Sequence, residues 1–393
     1  VAVSAGRKVS WDVVRAGCVT CVMLYHATSR SVLVHPELRP RTVVFPYQVG
    51  ASLLLVISAY FACVTIGRAT PLRYWWGRIA RLLPSFLAAV LVIFVVLRAF
   101  PMPGYLWPTR ADLEANLLML WNWDPQRYRY IDGSHWTIPL QLLGFTVAAT
   151  LYRGRWGHGW RLRAVLWLAL VVPVVQWPVR ASAPPELYRM VADGFGLHRW
   201  HLFVAGVAIW LWSTRRLSGG HFAALLAGCM ASHALHYSAF TPDGLVTDWG
   251  STVAGWVGLG VLAVVARGPD WDGVVPALVR RPIRWLAGVS YGVFLMHQAI
   301  GYVVLRWLQD HGVSTTGQTV GMLVTGIVLG WAMTGMVERP AHQTLMDAYD
   351  RVVLAVARVE AAGGSSWWRR GERPSEPRVR RATPREARSP GPA

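Results

Sequence analysis

The chain has 393 residues, of which 54% are hydrophobic and only 15% charged, and it carries a formal net charge of +19. That is too apolar for two ordinary soluble domains. The arginines punctuate hydrophobic segments instead of gathering on one soluble face, which argues against a nucleic-acid binder and for a membrane protein.

The first segment, residues 1 to 11, carries Arg7 and Lys8 as the start of a secretory signal would. No small-residue cleavage site follows and Arg15 interrupts the apolar run, so an uncleaved first helix is expected over about 12 to 30. This helix holds two ionisable groups, Arg15 and His26, eleven residues apart. Eleven residues at 100° each return to within about 20° of one face, and the two side chains stand about 16 Å apart along it. In a hydrocarbon layer about 30 Å thick, an Arg15 just inside the boundary leaves His26 past the middle. Cys18 and Cys21, in the same helix, match a redox spacing without the βαβ setting it needs. With Cys63 and Cys229, all in apolar runs, they make no disulfide framework.

Further apolar segments are expected at about 43 to 66, 84 to 100, 135 to 152, 164 to 178, 199 to 213, 221 to 240, 250 to 266, 285 to 305 and 319 to 337. The fold class is therefore all-α, a polytopic membrane helix bundle of about ten transmembrane helices with a disordered C-terminal tail. A basic loop with Arg68, Arg73, Arg78 and Arg81 precedes the third helix, and a loop rich in Trp, Tyr, Pro and Asp follows it over 101 to 134. The segments that alternate to the inside carry sixteen lysines and arginines against ten outside. This bias predicts both termini in the cytoplasm of a multi-pass cell-membrane protein. The expected organisation is a membrane domain over 1–345 and a cytoplasmic basic tail over 346–393, mostly disordered from about 361, where apolar residues all but vanish. His233 and His236 have no further ligand types near them in sequence, so no metal site is expected.

Six motifs, in order, give the chain a resemblance. The Arg, ten residues, His spacing of Arg15 and His26 resembles the signature of the integral-membrane acyltransferase family 3, whose members O-acylate surface glycans, lipids and macrolides. The segment from Gly50 to Phe61 is similar to the family's second-helix motif. Arg78-Ile79-Ala80-Arg81 with Pro84 looks like its cytoplasmic Arg-x-x-Arg element. The run His135 to Gln141 sits where the family has a Trp-Ser-Leu segment leading to a Glu. Gly288 to Tyr291 through His297 matches its late Ser-Tyr and Leu-x-His helix, and Glu338-Arg339-Pro340 matches the end of its last helix. In two places this chain departs from the pattern: Ser52 stands at the second-helix carboxylate and Gln141 at the Glu. Asp124 and Asp132 are the nearest carboxylates able to compensate.

The resemblance implies transfer of a short acyl group from acyl-CoA to a hydroxyl of a sugar, glycan or macrolide. In that reading acyl-CoA is a donor substrate and no cofactor is permanently bound. Arg73, Arg78 and Arg81 would dock the donor's phosphates. Arg15 would meet its arm, and His26 would act as general base or be acylated itself. Gln141, Trp136, Asp132, His297, Ser290 and Tyr291 would line the substrate cavity. Without the resemblance, Arg15 reads equally well as a snorkelling arginine and His297 as a helix-packing group. The alternative function is a membrane transporter or exporter of a small anionic or hydrophobic solute, and a third reading is an inactive scaffold. The expected partners are acyl-CoA, a hydroxyl acceptor and the lipid bilayer, with no nucleic acid. Lys8 is the only lysine, and the high Ala, Gly and Val content points to a bacterium with GC-rich DNA. That setting suits macrolide tailoring as well as surface-glycan modification.

Overall fold

The computed structural model describes residues 8–102, 107–124, 126–154, 156–182, 184–241 and 244–363. Arg7, Arg155 and the tail from 364 lie outside the described residues. Among those described, the structure is helical apart from one two-stranded hairpin, Ser238–Thr241 with Gly244–Thr247. Two units are distinguished: Val1–Ala348, which holds the bundle, and Tyr349–Ala393, of which the described part is the end of one helix.

Helix α1, Val9–Tyr25, is the bundle's first element, and the chain continues through a π-helical turn, His26–Arg30, to Val34. Its N-terminal amides need an acceptor that Lys8 does not supply. Asp270, far along the chain, accepts from Val9 N–H at 3.0 Å and Ser10 N–H at 2.9 Å. Helix α2 is Gly50–Ile66 and packs on α1 and on a later helix, Trp200–Ser213. That last contact is close: a Cβ on Gly206 would fall 2.4 Å from the Val56 carbonyl oxygen, so only glycine allows the two backbones this near.

Helix α3 runs from Pro71 to Ala99, so the stretch expected as a basic loop before residue 84 is largely helical. The reason is local. Thr70 accepts the Arg73 N–H as N-cap, and Pro71 sits in the first turn, where its missing N–H costs nothing. The long loop after α3 contains a short helix α4, Arg110–Leu117, started by a reciprocal Thr109–Asp112 capping box. Then come α5 Thr137–Arg153, α6 Gly159–Ala181, α7 Glu186–Gly194, α8 Trp200–Ser213 and α9 Gly219–His236. After the hairpin follow α10 Trp249–Arg267, α11 Ala277–Met296, α12 Ala299–Asp310, α13 Thr315–Met333 and α14 Arg339–Gly363.

The helix expected over 285 to 305 is two helices, α11 and α12, bent by 77° at His297-Gln298. Among the described residues, four helical stretches, Pro71–Ala99, Gly159–Ala181, Trp249–Arg267 and Thr315–Val359, are long and apolar enough to cross a membrane, and the bent pair makes a fifth if taken as one span. The protein is a multi-pass membrane protein on this count. The bundle has two large apolar clusters. One is built where Leu55 and Val56 meet Ala205, Ala208 and Ile209. The other gathers Phe86, Val90 and Ile93 against Ile138, Leu295 and Met296. The candidate site lies where α1, α2, α3, α5 and α11 converge.

Candidate active site

His26 opens the π turn, and His297 sits at the α11–α12 break. Both irregularities are held by identifiable hydrogen bonds. In the π turn, Thr28 donates to the Leu24 carbonyl at 2.7 Å and Ser31 to the Ala27 carbonyl at 2.9 Å. The residue Phe45 is strapped across it, its N–H donating to Thr28 Oγ1 at 2.9 Å and its carbonyl accepting from Ser29 Oγ at 2.7 Å. Such a turn widens the helix by one residue and re-aims what it carries.

The break at His297 leaves the last carbonyls of α11 and the first amides of α12 without helical partners. The segment Asp132 to Trp136 supplies them. His135 Nε2 donates to the Leu295 carbonyl at 3.0 Å, and Ser134 Oγ, its proton shared toward Asp132, lies 3.2 Å from the Phe294 carbonyl. Asp132 Oδ2 accepts the Ala299 N–H at 2.9 Å, while its Oδ1 accepts from Ser134 N–H and Oγ. One five-residue segment thus caps both sides of the bend. Gly326 makes room opposite, since a Cβ there would stand 2.9 Å from the His297 Cβ.

The two histidines meet. His26 Nδ1 lies 2.6 Å from His297 Nε2, with the rings stacked at 4.9 Å and 19°. Their protonation follows from neighbours that can only accept. His297 Nδ1 lies 2.9 Å from the Phe294 carbonyl and 3.2 Å from that of Val293, so it carries the proton. A neutral His297 then offers Nε2 as a lone pair, and His26 must donate through Nδ1–H. The His26 proton being on Nδ1, its Nε2 is left as a basic lone pair. Both rings are buried, with His26 8% and His297 1% exposed.

A cavity of about 110 Å³ lies alongside, lined by Arg15, Arg78 and Arg81, by the polar groups of Ser58, Thr137, Gln141, Ser290 and Tyr291, and by apolar residues such as Phe61 and Phe294. His26 does not line it. The cavity ends one layer short, against Ala51 and Phe294, which pack with Val22 one turn before His26. Phe294 is the shared wall, its ring 6.1 Å from that of His297.

The residues singled out in the sequence are distributed as follows. Arg15 lines the cavity with its guanidinium 5.5 Å from the Phe61 ring centre. Arg78 donates to the Phe61 carbonyl at 3.1 Å and to Thr65 Oγ1 at 2.6 Å, so part of its donor set closes the end of α2. Arg81 Nε donates to Glu338 Oε1 at 3.1 Å, and Thr334 Oγ1 donates to Oε2 of the same carboxylate at 3.1 Å. Gln141 accepts from Ser58 Oγ at 3.2 Å. Ser290 and Tyr291 donate to the Ala287 and Leu82 carbonyls.

Arg73 is not among the cavity-lining residues. Trp136 lies outside the lining as well, with the Arg199 guanidinium 3.5 Å above its ring centre. Asp132 is buried with both oxygens engaged, which makes it a cap beside His297 and not a cavity-wall group. Asp124 serves a local turn, accepting from Arg127 N–H.

Sequence reasoning passed over Phe294 and Ser58, treated Thr137 and Glu338 only as parts of motifs, and counted Arg199 only as a topogenic charge. Ser58 stands six residues after Ser52 on the same helix, about 1.7 turns on, and a hydroxyl within an apolar run is the one signal that marks it. His233 and His236 gain two neighbours from other parts of the chain, with His198 stacked on His236 and His201 3.3 Å from His233. Among the described residues, no group of three His, Cys, Asp or Glu side chains is arranged to hold a metal ion.

These features define a multi-pass membrane protein with a polar, arginine-lined site inside its helix bundle. The chain belongs to acyltransferase family 3: the profile of that family, an acyltransferase domain, matches residues 8–335. Comparison with curated proteins and with solved structures found no match.

Proposed function

We propose that the protein is a membrane-embedded O-acyltransferase that moves a short acyl group from acyl-CoA to a hydroxyl of a sugar, glycan or macrolide. The observation that carries this reading is the 2.6 Å contact that holds His26 as an Nδ1–H tautomer one packing layer beyond the inner end of an arginine-lined cavity. In this reading the bundle crosses the cell membrane ten times with both termini in the cytoplasm. The donor's phosphates meet Arg78 and Arg81 at the cavity mouth, with Arg73 outside it, and Arg15 guides the pantetheine arm. The thioester then passes Phe294 to reach His26.

The chemistry follows from the tautomer. His26 Nε2 takes the proton of the acceptor hydroxyl as its oxygen attacks the thioester carbonyl. The positive charge that develops on His26 is shared through Nδ1–H with His297 Nε2, and Asp132 supplies negative charge beside His297. When the tetrahedral intermediate collapses, the C–S bond breaks and the CoA sulfur takes the proton back from His26. The products are the O-acyl ester and free CoA, and the enzyme returns to its starting state. His297 is a positioning residue in this scheme, and Gln141, Ser290 and Tyr291 line the path of the acyl arm.

The test uses the full chain in nanodiscs with radiolabelled acetyl-CoA and a panel of sugar and macrolide alcohols. Label transfer that disappears in His26→Ala is expected. Undiminished transfer in His26→Ala would overturn the assignment, and absence of acyl-CoA binding by the wild type would overturn the donor.

A further inference from the structure

A second recess, separate from the cavity beside His26, lies where three connections of the bundle come together. It has a volume of about 430 Å³ and is lined by Arg163, Arg215, Arg216 and Arg267 together with Trp212 and the start of α9 at Ser218 and Gly219. The four arginines come from three separate places in the chain: the second turn of α6, the α8–α9 connection and the last residue of α10. Topogenic arginines need only lie on one side of the membrane, and nothing in that requirement gathers them around one recess.

Like charges at close quarters repel, so the recess carries unbalanced positive potential unless something negative compensates it. Among the described residues none of the four is paired with a carboxylate. The acidic side chains of the following loop are engaged elsewhere. Asp270 accepts from the amides of Val9, Ser10 and Trp271, and Asp272 pairs with Arg280 at 3.0 Å and lies 3.9 Å from Arg284. Two of the guanidiniums are anchored by aromatic faces, Arg267 at 4.4 Å from the Trp212 ring centre and Arg216 at 4.9 Å from that of Trp210. Stacking leaves the in-plane N–H donors of arginine available for an anion. The first amides of α9 open onto the same place, and a Cβ on Gly219 or Gly220 would meet nothing within 4 Å, so a ligand can approach them. Planar forks and helix-start amides both suit a tetrahedral oxyanion.

We propose that this recess binds a phosphate-bearing ligand, either a soluble phosphate compound or the headgroup of an anionic phospholipid. The site is distinct from the cavity of the proposed transfer, since no residue lining one lines the other.

The full chain in nanodiscs of neutral phosphatidylcholine is titrated with radiolabelled pyrophosphate, wild type against Arg216→Gln/Arg267→Gln. In parallel, native mass spectrometry counts phosphatidylglycerol molecules retained after delipidation. Affinity for pyrophosphate at least about tenfold weaker in the double variant identifies a soluble phosphate ligand. Loss of one retained phosphatidylglycerol identifies a lipid headgroup. Unchanged pyrophosphate affinity together with unchanged lipid retention overturns the site. Arg163→Gln, an exposed change on a different helix, gives the same comparison should the double variant lose its fold. Repeating the titration in His26→Ala separates this site from the proposed transfer, since its binding must equal that of the wild type whether or not acyl transfer occurs.

Discussion

Replacing His297 tests the chemistry without removing the base. In His297→Ala, His26 loses the acceptor for its Nδ1–H at 2.6 Å, and the imidazolium that forms during transfer loses its partner. The acceptor that selects the Nδ1–H tautomer is lost as well, which lowers the competent population. The larger effect comes from the charged state, because a hydrogen bond to a charged group contributes about 1.5–3 kcal/mol. At 1.36 kcal/mol per decade this corresponds to a fall in kcat of about 10- to 150-fold. His26→Ala removes the base itself and is expected to cost about 10²- to 10⁴-fold. The double variant should be no slower than His26→Ala, because the two residues act as one unit. The assay is single-turnover CoA release with a thiol reagent at saturating acetyl-CoA, with the KM for donor measured alongside. A His297→Ala enzyme with wild-type kcat, or a double variant slowed by the product of the two single effects, would refute the scheme.

Gly326→Ala should act on the same centre from behind, pressing a methyl group to 2.9 Å of the His297 Cβ and 3.3 Å of Met23 Cε. Overpacking of this kind costs about 1–3 kcal/mol and shifts the break, so both thermal midpoint and kcat should fall, measured by unfolding in detergent and by CoA release. Arg81 and Glu338 should show coupling. Arg81→Ala strands the 7%-exposed Glu338 carboxylate, so it should lower the thermal midpoint more than Arg81→Ala/Glu338→Gln does, and a cycle of the two changes checks this. Asp270→Ala removes the cap of α1 and should cost about 1 kcal/mol of stability. Partial burial works to raise the Asp270 carboxyl, but the amides of Ser10, Val9 and Trp271 outweigh it and hold the group below its ordinary value. Its contribution is therefore present above the ordinary carboxylate range and lost as pH falls through the lowered value. A wild-type midpoint that falls in acid more steeply than that of Asp270→Ala is the expected result.

Six residues that line the cavity, Arg15, Arg78, Arg81, Gln141, Ser290 and Tyr291, were legible because their patterns are local. The eleven-residue interval from Arg15 to His26 fixes a shared helix face, and the family motifs fall in order around it. The pairing of the histidines was not legible. The stretch 285 to 305 reads as one apolar helix, and the break in it is capped by acceptors and donors from Asp132 to Trp136, more than 150 residues away in sequence. Nothing in the local pattern of either segment announces that one caps the other. The start of α3 was readable in principle, since Thr70-Pro71 is a capping signal, but the density of arginines over 68 to 81 outweighs it in any reading by polarity. The four-arginine recess shows the opposite limit. Each arginine is visible as a topogenic charge, and only the folded connections bring 163, 215, 216 and 267 to one place.

The two helix irregularities explain how the histidine proposed as the base can sit in an apolar bundle at all. A regular helix satisfies its own backbone and offers a buried imidazole only side-chain partners. At the break the Phe294 carbonyl is left without a helical amide and accepts from His297 Nδ1 at 2.9 Å, while the Val293 carbonyl, which keeps the His297 N–H, lies 3.2 Å from the same nitrogen. That one constraint propagates to His26, whose lone pair is thereby directed away from His297. The bent helix, the capping segment Asp132 to Trp136 and the π turn on α1 are thus parts of a single device that orients one nitrogen. Removing the acceptor of Asp132 should therefore resemble removing His297 in kcat, although Asp132 touches no cavity. Asp132→Asn keeps one oxygen acceptor for the Ala299 amide and lacks the charge, so it separates capping from electrostatics. A kcat lowered with the thermal midpoint kept would assign Asp132 to the charge relay, and a lowered midpoint with kcat kept would leave it a cap alone.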